Sequence, residues 1–219
     1  MTRPRTVSDA DILHAAGRAI SQLGPAKLTL ADVAREVGLS PATLVQRFGS
    51  KRGLLLALVE LAAASVDDCF AAVRAAHPKP LEALIAAATE MTRHIQSPEE
   101  MANHLAFLQI DLSDPDFHRL MLQSSQRIEA GYRALLDEAV VAGELTPCDT
   151  ARLARAVGAL SGGSLLGWAV YRRGTAEAWV RDDLATLLDR YRPTAPRRQA
   201  GRGAAPNATA RPKRSPRQR

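Results

Sequence analysis

The chain has 219 residues, a length that fits one large domain or a small domain joined to a medium one and excludes a large multidomain assembly. Hydrophobic residues make up 46% of it and aromatics only 4%, so its core must come from Ala, Leu, Val and Ile, which favours packed helices. The net charge of +6 is unevenly placed, with +4 over residues 1–53, −6 over 54–192 and +8 over 193–219, a pattern that suggests nucleic-acid contact at the ends. The two cysteines, Cys69 and Cys148, lack metal-ligand spacing, as expected in a reducing cytoplasm. No apolar leader follows the first arginines, and Glu60 interrupts the longest apolar stretch, 53–66. Neither secretion nor a membrane partner is therefore expected.

Capping chemistry punctuates the chain. Ser8 with Asp11 forms a capping box, and Ile12, Leu13, Ala16, Ala19, Ile20 and Leu23 recur at helical spacing, predicting a first helix over 9–23 that stops at Gly24-Pro25. Thr29 with Asp32 repeats the box for a helix of about eight residues carrying Leu30, Val33, Ala34 and Val37, and Gly38 ends it. Ser40-Pro41 opens a second short helix through Arg47, with Leu44 and Phe48 on its buried side. Ser50 caps a long helix, 51–76, broken by His77-Pro78. Further helices are predicted at 80–96, 98–111, 115–142, 149–172 and 176–191, giving an all-α fold of about nine helices. From Pro193 the chain has five prolines, two glycines, eight basic residues and no large apolar one, the composition of a disordered basic tail.

Two short helices joined by a Gly-containing turn, residues 30–47, match a helix-turn-helix unit, whose second helix enters the DNA major groove. Val33, Ala34, Val37, Leu39 and Leu44 would lock the pair together and leave Pro41, Ala42, Thr43, Gln46 and Arg47 outward. Plain helical bundles also contain such pairs.

The segment TLADVAREVGLSPATLVQRFGSKRGLLLAL resembles the DNA-binding region of the tetracycline-repressor (TetR) family of bacterial transcriptional regulators, over residues 9–58. The likeness rests on the ILHAA opening of the first helix, Thr29, VAREVG, Ser40, Thr43-Leu44, Phe48, Lys51 and Leu54-Leu55. The excess of arginine over lysine, 25 to 4, fits a GC-rich bacterial genome. The resemblance implies that Thr29, Pro41, Ala42, Thr43, Val45, Gln46, Arg47 and Lys51 occupy positions used on double-stranded DNA. Thr43 and Gln46 suit base edges, Ala42 a thymine methyl, Arg47 guanine or phosphate, and Lys51 a phosphate at a helix N-terminus. Two positions depart from the family pattern: Val45 stands where an aromatic is common, and Arg47 where a histidine or tyrosine is. Arg3 and Arg5 form a candidate minor-groove arm.

The same resemblance implies a division into a helix-turn-helix domain (1–53), a helical effector-binding and dimerisation domain (54–192) and the basic tail (193–219). It implies a homodimer through the last two helices, for which Val157, Ser161, Ser164, Leu165, Trp168, Val180, Leu184, Leu187 and Leu188 are the candidate interface, although such stripes also suit an internal core. A small-molecule effector pocket is expected among Met91, His94, Ile95, His104, Phe107, Leu108, Met121, Ser124, Tyr132 and Trp168, with the acidic segment charge favouring a neutral or cationic ligand. An effector pressing on the 51–76 helix would shift the paired reading helices. No cofactor is expected. Among other classes, catalysis lacks a motif, since His14, His77, His94, His104 and His118 are scattered without HExxH, triad, phosphate-loop or dinucleotide signatures. Metal sensing by His94, His104, His118 and Asp111, Asp114 or Asp116, redox sensing by Cys69 and Cys148, and architectural DNA coating by the tail stay open as alternatives to a ligand-released repressor.

Overall fold

The computed structural model describes residues 7–193, and among these every regular element is helical. In chain order they are α1 (Asp9–Lys27), α2 (Leu30–Glu36), α3 (Pro41–Phe48), α4 (Lys51–Ala64), α5 (Val66–Ala76), α6 (Pro80–Thr92), α7 (Pro98–Ser113), α8 (Pro115–Val141), α9 (Thr150–Tyr171) and α10 (Ala176–Asp189). The side chains that signal helix starts act as caps. Ser8, Thr29 and Ser97 close reciprocal boxes with Asp11, Asp32 and Glu100, while Ser40, Ser50, Asp149 and Thr175 each accept a bond from a first-turn amide. Gly24 (φ 76°) breaks α1 before a last turn over residues 25–27, and Gly38 (φ 69°) turns α2 into α3; both lie in the left-handed region that glycine adopts without strain.

The expected 51–76 helix is divided at Ser65, which accounts for ten elements rather than nine. The Ser65 hydroxyl donates to the Leu61 carbonyl at 2.8 Å, a back-bond that bends helices, and no side chain caps the start of α5. The 80–96 helix ends early, at Thr92, where tight i to i−3 bonds from Arg93 and Ile95 unwind the chain and turn Ile95 into the core.

Two apolar clusters organise the packing. One joins α1 to α3 with Leu54 and Leu55 of α4 and reaches into the next helices through Phe107, Ile110 and Phe117. The other fills the space among α5, α6, α8, α9 and α10. The DNA-binding unit packs on α7 through α1 and on α8 through α4.

The stripes expected at a dimer interface belong to the second cluster. Val157, Ser161, Ser164, Leu165, Trp168, Val180, Leu184 and Leu188 are buried within the chain and Leu187 is half-buried against them, because the largest apolar residues of α9 and α10 pack on each other and on α8 and α6. The opposite face of α9, with Ala159, Gly162, Gly163, Leu166 and Val170, is exposed, Val170 to 70%. By length and composition α9 is apolar enough to cross a membrane, but its buried stripe is core.

Candidate DNA-binding surface and effector region

The reading helix α3 is short and firmly seated. Pro41 fixes its first turn, the Ser40 hydroxyl accepts from the Thr43 amide, and Leu44 is fully buried against α1, α2 and α4. Pro41, Ala42, Val45 and Gln46 project into solvent, Val45 at 48% exposure. Thr43 is half-buried, its hydroxyl 2.9 Å from that of Ser40. Thr29 is held by its own box, donating to the Asp32 carboxylate at 2.5 Å. That bond holds the Asp32 carboxyl below the usual range, and a negative charge suits this helix start.

The two cations have internal roles that spacing does not reveal. Arg47 donates from Nη1 to the Val7 carbonyl at 2.8 Å and to Asp9 at 3.1 Å, fastening the end of α3 to the start of α1. Lys51 donates from Nζ to the Pro25 carbonyl at 2.5 Å, holding the last turn of α1 against the start of α4. Arg3 and Arg5 lie outside the described residues, as does the tail beyond Pro193.

Three further residues join the reading unit to the rest of the molecule. Arg52, one position beyond Lys51, grips Asp114 through Nε (3.1 Å) and Nη2 (2.9 Å), reaches Asp116 at 2.7 Å and lies 5.7 Å over the Phe117 ring. Asp116 and then Asp114 hold its guanidinium still more firmly protonated than usual. On the other side, Asn103 of α7 donates from Nδ2 to the carbonyls of Ser21 (2.8 Å) and Gln22 (3.1 Å), and the Ser21 hydroxyl donates to the His94 carbonyl. A Cβ at Gly24 would stand 2.5 Å from Asn103 Oδ1, so a side chain there would crowd the Asn103 clasp. Asp114-Pro115 is legible in sequence as a helix start, but nothing in its spacing couples it to Arg52, 62 residues away.

The ten expected effector-lining residues do not surround one pocket. Ile95 and Trp168 line a 310 Å³ recess beside the start of α10. His94 faces a separate 560 Å³ cleft against α1 and meets His104 edge-on at 5.6 Å. Tyr132, its phenol pushed up by burial, donates to the Met91 thioether at 3.6 Å, and Phe107 packs edge-on against Phe117. Leu108, Met121 and Ser124 are half-buried on α7 and α8. The mixture of apolar and polar groups that suggested a pocket is therefore spread over core and clefts. The sequence offers Asp111 only as a candidate metal ligand; in the structure it sits on the α7 stripe of His104 and Leu108, and its Oδ1 is buried with no hydrogen-bond partner among the described residues. Burial raises its pKa to about 6. No group of three or more metal-ligating side chains occurs among the described residues, and burial pushes the Cys69 and Cys148 thiols up, away from the reactive thiolate.

Residues 12–58 match the family described as bacterial regulatory proteins, tetR family, and residues 80–191 match the BetI-type transcriptional repressor C-terminal domain. The HTH-type transcriptional regulator BetI of Agrobacterium fabrum is 30% identical over 155 residues, which cover 69% of this chain and 72% of that one. Among solved structures, a TetR transcriptional regulator from Streptomyces coelicolor is 26% identical with a TM-score of 0.65, over 86% of this chain and all of that one. A protein from Saccharomonospora viridis described as a transcriptional regulator, crystallised in complex with choline, shares the fold at 22% identity and a TM-score of 0.65, over 83% and 95% of the two chains. The cap-built helix-turn-helix, the two helical clusters and these matches together lead to one conclusion: the chain belongs to the TetR family of bacterial transcriptional regulators, with a BetI-type C-terminal domain, and is a DNA-binding regulator rather than an enzyme.

Proposed function

We propose that the protein is a homodimeric cytoplasmic repressor that occupies a palindromic operator and leaves it when a small organic cation binds. The observation that carries this reading is α3, whose inner side is locked by Leu44 while Pro41, Ala42, Val45 and Gln46 are presented to solvent. Ala42 and Val45 offer apolar contact to thymine methyls, and Thr43 and Gln46 hydrogen bonds to base edges. Thr29, Arg47 and Lys51 serve the phosphates on either side. Lys51 retains donors beyond its bond to Pro25, and Arg47 retains Nε and Nη2. Pairing through the exposed Ala159, Gly162, Gly163, Leu166 and Val170 face of α9 allows close helix approach, and two reading helices one DNA turn apart demand an inverted repeat.

A cationic effector is favoured by the −6 charge of residues 54–192, by the partnerless Asp111 oxygen and by the choline-bound structural neighbour. Release requires that the effector prefer the conformer that cannot bind DNA; a 100-fold preference corresponds to about 2.7 kcal/mol of coupling, which DNA must return in full. Selecting duplexes from a random pool with purified protein tests the reading. One inverted repeat, released by millimolar choline, is expected; recovery of unrelated sequences would overturn the operator, and a complex unaffected by choline would overturn the cationic effector.

A further inference from the structure

A groove of about 940 Å³ runs between α5 and α10, floored by α6, and the proposed repression cycle does not use it. Val73, Ile85 and Ala86 form its apolar floor; Asp68, Glu82 and Glu90 stand on its walls, and Cys69 lies among them. Asp68 makes no ion pair among the described residues, while Glu82 and Glu90 hold the exposed i,i+3 partners Lys79 and Arg93, a kind of pair that contributes little. The one arginine of the lining, Arg181, is already engaged by Glu177 at 2.8 Å.

The end of the described chain is tied through the 144–146 turn to the start of α6, where Glu82 begins this groove, while Tyr191 itself lines a separate recess beside Leu187. The Tyr191 carbonyl accepts from the Thr146 amide (2.7 Å) and hydroxyl (3.0 Å). Two residues before Thr146, Glu144 accepts from the Leu81 amide at 3.0 Å, next to Glu82. From Glu82 to Glu90 the groove runs eight helical residues, about 12 Å. Residues 194–219 carry eight basic and no acidic side chains, beginning with Arg197, Arg198 and Arg202. Seven residues from Pro193 to Ala200 reach up to about 24 Å, so these arginines arrive at a high effective concentration.

We propose that the basic segment 194–219 docks into the α5–α6–α10 groove of its own chain, its first arginines pairing with Asp68, Glu82 and Glu90. Docking holds eight positive charges on the protein instead of on DNA phosphates, so the groove and the DNA backbone compete for one segment. The interaction is electrostatic and falls with salt.

Cys69 provides a native reporter. In the full chain carrying C148S, an A200C thiol is oxidised against Cys69 with oxidised glutathione at pH 8.5, and the intrachain disulfide is followed by non-reducing gel and peptide mass. The comparison protein carries C69S and V141C instead, which puts the reporter thiol on an exposed position of α8 close to the same chain end. At about 20 mM salt the Cys69 disulfide is expected to form at least tenfold faster than the comparison one, and to fall to its rate at about 0.5 M salt or when R197Q, R198Q and R202Q are added. Equal rates for the two positions would overturn the proposal, as would a Cys69 rate indifferent to salt and to the arginines, or a disulfide found only between chains. DNA is absent from the experiment, so its outcome is independent of the repressor reading.

Discussion

Asn103 offers the sharpest test of how α7 holds the DNA-binding unit. Its amide donates to two carbonyls near the end of α1, at 2.8 Å to Ser21 and 3.1 Å to Gln22. Each such bond contributes about 0.5–1.5 kcal/mol net, and the cost of losing it is largest where water cannot replace it. Ser21 is half-buried and Gln22 exposed, so N103A should cost about 1–2 kcal/mol, seen as a lower urea midpoint with unchanged slope at fixed protein concentration. In the melting temperature this corresponds to roughly 2–8 °C. N103D keeps the shape but replaces the donor with a carboxylate facing two carbonyl oxygens, and is therefore expected to be less stable than N103A. Both variants should bind the selected duplex more weakly, because α1 carries α2 and α3 with it. If N103D equals or exceeds N103A in stability at pH 7.5, the amide is not donating to α1 and the clasp is wrong.

Other consequences follow from packing and charge. A Cβ at Gly131 would sit 2.4 Å from the Phe70 ring; helix propensity alone would make G131A about 1 kcal/mol more stable, whereas overpacking costs about 1–3 kcal/mol. A net loss in urea unfolding is expected, with recovery in the F70L/G131A double variant. Asp111 binds its proton more tightly folded, with a pKa of about 6 against the ordinary 3.8, so the folded state holds more protons than the unfolded between pH 4 and 6 and stability falls as pH rises through that window. D111N should accordingly be more stable than the native chain above pH 6, the difference vanishing below pH 4, and equal melting curves at pH 8 would remove Asp111 from the buried set. L166E, on the exposed face of α9, should move the protein to the monomer in sedimentation without lowering the helical signal; an unchanged dimer would place the interface elsewhere.

The helix boundaries were legible because their causes are local. Ser8, Thr29, Ser40, Ser50 and Ser97 are caps whose partners lie three residues on, within reach of any sequence reading. The Ser65 bend was not, since a serine inside an apolar run signals neither cap nor break until its hydroxyl is seen on the Leu61 carbonyl. The apolar stripes of α9 and α10 were read correctly as stripes, but periodicity gives a buried face without saying what buries it, and here the same chain does. The exposed face of α9 is marked by small residues, Ala159, Gly162 and Gly163, which a search for large apolar side chains passes over. The clasps of Arg52 on Asp114 and Asn103 on Ser21 join residues 62 and 82 apart, a separation at which spacing carries no information.

Those clasps constrain how any signal reaches α3. The last turns of α1 are held from two sides: Asn103 of α7 binds the Ser21 and Gln22 carbonyls, and Lys51 of α4 binds the Pro25 carbonyl. At the other end of α7, Asp114 is gripped by Arg52, the neighbour of Lys51. A displacement of α7 would therefore pull on α1 directly and on the start of α4 through Arg52, and with them on the helix-turn-helix, whose core is continuous with both. If Lys51 takes the phosphate contact proposed above, that phosphate would draw on the same ammonium that holds Pro25, so DNA would act on the joint from the opposite side. On the proposed reading, an effector bound near α7 and a duplex bound at α3 would work against each other through α1 and α4, the reciprocity that linkage requires of a released repressor.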